Sequence, residues 1–175
     1  MKAFLQGKWL GHPLHPAIVH IPTGAWTGAL IFDICSTANI GGQGMVLGAF
    51  TCIVIGIVAA LGAAPTGLAD FWDIKPDKPA RKIGLWHLAI NVVTLCVFVA
   101  NAVIRWNHVR SGGETRVSTV ELTVTIVGVA LLSISGYLGG LMVYDQGIGI
   151  ARISKKKWRE GAQRGNAHVP EQKQS

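Results

Sequence analysis

The chain has 175 residues, half of them hydrophobic and only 14% charged, with a mean hydropathy of +0.40. This is too apolar for a soluble domain of that size and points to a membrane protein. The net charge of +7 does not imply nucleic acid as a partner, because no basic fold interleaved with aromatics is present to read bases.

Residues 1–16 form a short amphipathic lead in which Trp9 suits the headgroup layer. Pro13 and Pro16 push His12 and His15 toward extended geometry. Four apolar runs then reach the roughly 20 residues that a helix needs to cross a bilayer core: Ala17–Ala38, Gln43–Ala64, Ile83–Trp106 and Thr119–Tyr144. A signal peptide is the alternative for the first run, but His20 and Asp33 interrupt it and no clear cleavage site follows. Pro22, lacking an N–H for the carbonyl of Ile18, predicts a kink beside His20. Between the second and third runs, the prolines and glycine of residues 65–82 predict a loop anchored at the interface by Phe71 and Trp72.

The fold class is all-α: an integral membrane four-helix bundle with short loops and both termini on the same side. Residues 1–150 form the four-helix domain, and residues 151–175 a basic, flexible tail. No internal repeat is evident. Of the 16 Lys and Arg, all but Arg105, Arg110 and Arg116 fall on the side shared by the N-terminus, the 65–82 loop and the tail. The positive-inside rule puts that side in the cytoplasm.

Topology gathers the chemistry. His12, His15 and His20 stand at the start of the first helix and His87 at the start of the third, which runs in the same direction. Histidine is a common axial ligand of haem iron, and helix bundles hold cofactors on side chains from facing helices. His20 and His87, or equally His15 and His87, are candidate ligands of a haem b. Gly24 would leave room for the macrocycle, Asn91 would orient a ring from the second layer, and Arg81 and Lys82 would pair with the propionates. Two other readings stand beside this one. The rings are interfacial hydrogen-bonders, or His12 and His15 with a loop aspartate bind zinc or iron directly. Asp33 and Glu121 read as charges that reach the interface or bond within the bundle.

No nucleophile elbow, zinc-protease motif or phosphate loop is present, so electron transfer is more in keeping with the chain than independent catalysis. Cys35, Cys52 and Cys96 fall in three different runs without C-x-x-C spacing and read as packing residues.

Four motifs occur in order: LGHPLHP, PTGLADFWD, RKIGLWHLAIN and YLGGLMVYDQGIGI. Together they resemble domain-of-unknown-function family 2231, four-helix membrane proteins of bacteria, over roughly residues 8 to 152. His12, His15 and His87 match the family's motif positions, whereas His20 sits where relatives have other residue types. Relatives also carry a histidine in the G-G-x-x-V-Y motif, where this chain has Leu141 and Met142. Because some relatives are fused to Rieske-type domains, the resemblance implies a redox setting, with membrane redox subunits, a quinone or an iron–sulfur protein as partner.

Overall fold

The computed structural model describes residues 1–112 and 115–148; the tail at 151–175 lies outside the described residues. Its elements are α1 (Lys2–Leu5), a 3-10 turn (Lys8–Leu10), α2 (Leu14–Ile18), α3 (His20–Thr37), α4 (Gln43–Phe71), α5 (Pro79–Ser111) and α6 (Thr119–Tyr144). Leu14–Thr37, counted as one span, and α4, α5 and α6 are each long and apolar enough to cross a bilayer. The described residues contain no strand.

Three of the four spans differ from their expected ranges. The first span begins at Leu14 rather than Ala17, and its break falls at Val19, between α2 and α3. Pro22 lies in the first turn of α3, where a missing N–H costs nothing. The second span runs through Pro65 to Phe71, so Asp70 lies on a helix and the loop shrinks to residues 72–78. Pro65 frees only one carbonyl near the span's end, and burial of Thr66 and Ala69 carries the helix past it. The third span starts earlier, with Pro79 at its first position, and ends on Gly112 in the left-handed conformation. The fourth agrees with its expected range. Ser118 and Glu121 close a capping box at its start.

α3 packs on α4 and α5 on α6, while α4 also meets α5 and α3 meets α6. The four spans therefore form a closed ring, with the first and third helices on one diagonal. Surface and core are inverted relative to a soluble bundle. Ile31, Val58, Val93, Val103 and Ile134 are exposed, while Asp33, Asn101, Arg105, Glu121 and Thr125 are fully buried. With hydrocarbon as solvent, polar groups find partners only inside the bundle.

The structure also reveals a repeat that inspection of the sequence misses. Asp33 and Arg105, which pair across the diagonal, are 72 residues apart. The same shift relates Trp26 to Phe98, and these rings stack on each other with centroids 4.2 Å apart and planes 9° from parallel. It maps buried Pro22, Trp26, Ala29 and Asp33 onto buried Thr94, Phe98, Asn101 and Arg105. On the partner helices it maps buried Ala49, Ile53, Gly56 and Ala63 onto buried Glu121, Thr125, Gly128 and Ser135. Two helical hairpins thus sit about a pseudo-twofold axis running along the bundle. Few identities carry the match, chiefly His15 with His87, Gly56 with Gly128 and Gly67 with Gly139, because lipid-facing positions accept any apolar residue.

Candidate functional site

Two polar layers lie on this axis, one toward each end of the bundle. The first holds His15 and His87. His15 reaches α4, where its Nδ1 lies 3.2 Å from the carbonyl of Ala63 and 3.2 Å from the hydroxyl of Thr66. His87 reaches α6, where its Nδ1 lies 2.9 Å from the carbonyl of Ser135 and 3.1 Å from that residue's hydroxyl. In both cases the accepting carbonyl is 48 residues further along the chain. A glycine makes room for each ring. A Cβ at Gly67 would meet His15 at 2.7 Å, and one at Gly139 would meet His87 at 3.2 Å.

An Nδ1–H donated to a backbone carbonyl fixes the imidazole tautomer and leaves Nε2 with the lone pair, the arrangement that metal-ligating histidines use. Asn91 agrees with that assignment at His87. Its Nδ2 donates to Nε2 at 3.1 Å and to the His87 carbonyl at 2.8 Å.

The other residues expected at the site separate. His20 is exposed on the outside of α3 and bonds the Pro16 carbonyl of its own turn at 2.6 Å. Of the two competitors for the place opposite His87, it is His15 that enters the bundle. Gly24 is also on the outer surface, with open space where a Cβ would be, so it lines no gap beside the histidines. Arg81 stacks 4.0 Å over the Phe71 ring and donates to the carbonyls of Phe71 and Ile74, which fastens the 72–78 loop. His12 is exposed in the turn before α2. Among the described residues, no three His, Cys, Asp or Glu side chains come together as a metal site, so His12, His15, His20 and His87 do not gather as one ligand set.

The lead is pinned beside this layer. Gln6 donates to the carbonyl of Ala69 at 3.1 Å and to Asp73, and Lys2 pairs with Asp73 as well. The hydrogen bonds from Lys2 and then Gln6 hold the Asp73 carboxyl below the usual carboxylate range. Gly7, at φ 72°, turns the chain so tightly that a Cβ there would lie 2.2 Å from the His12 carbonyl oxygen.

At the far end is a network that the sequence only hinted at. Arg105 spans the core and donates to both carboxylate oxygens of Asp33, at 2.9 and 2.6 Å. Its Nε donates to Asn101 at 2.8 Å, while Thr125 donates to Asp33 at 2.7 Å. Beside it, His108 bonds the buried carboxylate of Glu121 at 2.8 Å. Arg105 had read as a loop-side charge. Its position one heptad-like step along the stripe His87, Thr94, Phe98, Asn101, Arg105 was the signal that would have placed it inside. Asp33 and Glu121 bond within the bundle, one of the two outcomes expected for them.

The paired hairpins, the entering histidines and the glycines beneath them all fall within residues 11–152, the stretch that matches a family of predicted membrane proteins, DUF2231. The chain belongs to that family. This DUF2231 protein is accordingly a multi-pass membrane protein in contact with lipid. No curated protein and no solved structure matches it.

Proposed function

We propose that this DUF2231 protein binds haem b between His15 and His87 and passes electrons within the membrane, as a subunit beside a quinone or iron–sulfur partner. One observation carries the reading: two histidines, equivalent under the pseudo-twofold, enter the bundle at one level with Nδ1 tied to a carbonyl. His15 and His87 would hold the haem iron through their Nε2 atoms, and two histidines suffice for that. Bound haem would supply reversible one-electron chemistry. The chain's own residues would set ring orientation through Ala63, Thr66 and Ser135, and Asn91 would yield Nε2 of His87 while keeping its bond to the His87 carbonyl. Gly24 and Arg81 drop out of the proposed lining.

The distribution of Lys and Arg supports a cytoplasmic placement of both termini in a bacterial inner membrane. Burial of Arg105 against Asp33 removes one of the three charges that counted the other way.

The test is a reduced-minus-oxidised spectrum of membrane-inserted protein expressed with ample haem. A b-type α band is expected, lost in His15→Ala and in His87→Ala and kept in His20→Ala. Absence of the band from intact protein would sink the proposal. It would favour the second reading, a cofactor-free structural or assembly subunit, which has its own support. Both rings already have hydrogen-bond partners inside the bundle, down to Asn91 on Nε2. That reading expects stoichiometric isolation with other membrane subunits.

A further inference from the structure

We infer that the two hairpins, 14–72 and 86–144, are copies of one two-helix unit whose inner faces have been made unlike, so that each accepts the other and rejects a second copy of itself.

The equivalence rests on contacts as well as on burial. Each first helix sends a histidine to the same point on its partner, four residues before a glycine that admits the ring: His15 to Ala63 above Gly67, and His87 to Ser135 above Gly139. Each then lays an aromatic ring over a glycine of its partner. Trp26 lies over Gly56 and Phe98 over Gly128, and the two rings meet on the axis. A slip of one residue would rotate a helix by about 100° and break all of these together. One register therefore governs both hairpins over their full length.

Nearer the histidines Pro22 answers to Thr94 and Ala63 to Ser135, whereas the departures in charge are confined to the far half. There the first hairpin has Ala29, Asp33, Ala49 and Ile53, and the second has Asn101, Arg105, Glu121 and Thr125. Every residue of both sets is buried. The acid that Arg105 grips comes from the first face, and almost all the other polar partners, with a second acid in Glu121, from the second. Pairing the first face with itself would set Asp33 against Asp33 on the axis, among alanine and isoleucine that donate nothing. Pairing the second with itself would oppose Arg105 to Arg105. Two carboxylates without donors on the first face, and on the second two guanidiniums that keep Asn101 and Thr125 but lose the Asp33 carboxylate, are repulsive elements of the kind that specificity requires. The surface at 14–72 thus fits one kind of partner: a hairpin that brings a guanidinium and an amide to the level of Asp33.

A circular permutant tests the equivalence. The chain is opened in the 72–78 loop, and residue 148 is joined to residue 1 through a short flexible linker, reversing the hairpin order. The pseudo-twofold makes the new junction span the same gap as the old one, so the permutant is expected to insert and to unfold cooperatively at the wild-type midpoint. Two tandem chains test the unlikeness: the first hairpin twice, and the second hairpin twice, each with the native loop. Neither is expected to give a folded monomer in mild detergent. Grafting Ala29→Asn, Asp33→Arg and Ile53→Thr into the second copy of the first-hairpin tandem supplies the donors that Asn101, Arg105 and Thr125 bring to the Asp33 network, and is expected to recover it. An unfolded permutant would overturn the equivalence. A folded, unmodified tandem of either hairpin would overturn the unlikeness, as would failure of the graft. None of these outcomes depends on bound haem.

Discussion

Adding one methyl group at Gly56 probes the contact on which the two hairpins turn. A Cβ there would lie 2.2 Å from Trp26 Nε1 and 2.5 Å from Cδ1, whereas non-bonded heavy atoms rest at about 3.5–4.0 Å. The indole must therefore retreat by more than about 1 Å, and Phe98 stacked on its other face leaves it nowhere to go. Overpacking of this kind costs about 1–3 kcal/mol. Retreat also gives up the bond from Trp26 Nε1 to the Ile53 carbonyl, worth about 1 kcal/mol. Replacing glycine by alanine in a helix returns about 1 kcal/mol. Gly56→Ala is thus expected to lose about 1–3 kcal/mol net. Gly128→Ala is the internal control: its Cβ meets the Phe98 edge at 2.7 Å and breaks no hydrogen bond, for a net cost of about 0–2 kcal/mol. Equilibrium unfolding in mixed micelles at rising SDS fraction, followed by tryptophan fluorescence, measures both. A Gly56→Ala protein as stable as wild type, or more stable than Gly128→Ala, would refute the reasoning.

Arg105→Met leaves the Asp33 carboxylate buried and unpaired, and should cost about 3–5 kcal/mol in the same assay. The double variant Asp33→Leu/Arg105→Met should recover much of that loss, while exposed Arg110→Met should cost at most about 0.5 kcal/mol. Because the folded pKa of Asp73 lies below its unfolded value, the stabilisation it gives the lead is present above the ordinary aspartate pKa of about 3.9 and disappears as pH falls through the lower folded value. Amide exchange in residues 2–10, corrected for intrinsic rates, should rise in that acid window in wild type, and be raised with no such transition in Asp73→Asn. Arg81→Met should speed chymotryptic cleavage after exposed Trp72, since it frees the Phe71 and Ile74 carbonyls that the guanidinium clasps.

Hydropathy alone located all four spans, because a bilayer imposes a length and an apolar composition that few other structures need. It failed at Pro65, since proline signals a break in water, whereas here burial of Thr66 and Ala69 carries the helix past the one freed carbonyl. His15 and His87 were legible as a pair from chain direction. The choice between His15 and His20 was not, because Pro13 and Pro16 signalled a non-helical entry, whereas His15 lies in α2 and His20, five residues and about 140° further round, faces outward. Arg105 was misread since charge near a span's end usually reaches water. Only its place on the inner stripe with Asn101 and Phe98 shows otherwise. The repeat stayed hidden because selection in lipid preserves which positions face inward far more than which residues fill them: Ala29 and Asn101 share a place and no chemistry.

From His87 to Arg105 the helical rise amounts to roughly 27 Å, close to the thickness of the hydrocarbon slab, about 30 Å. The two polar layers therefore lie near opposite edges of the oil. Between them the section is closed by Trp26 lying flat on Phe98, 3% and 0% exposed. For an ion this midsection is an electrical insulator: a charge leaving either layer would shed its last ligand before reaching the next, with aromatic carbon in the way. Among the described residues, the ionisable side chains that enter the bundle are thereby divided between two separate shores, with a stretch of low dielectric between them.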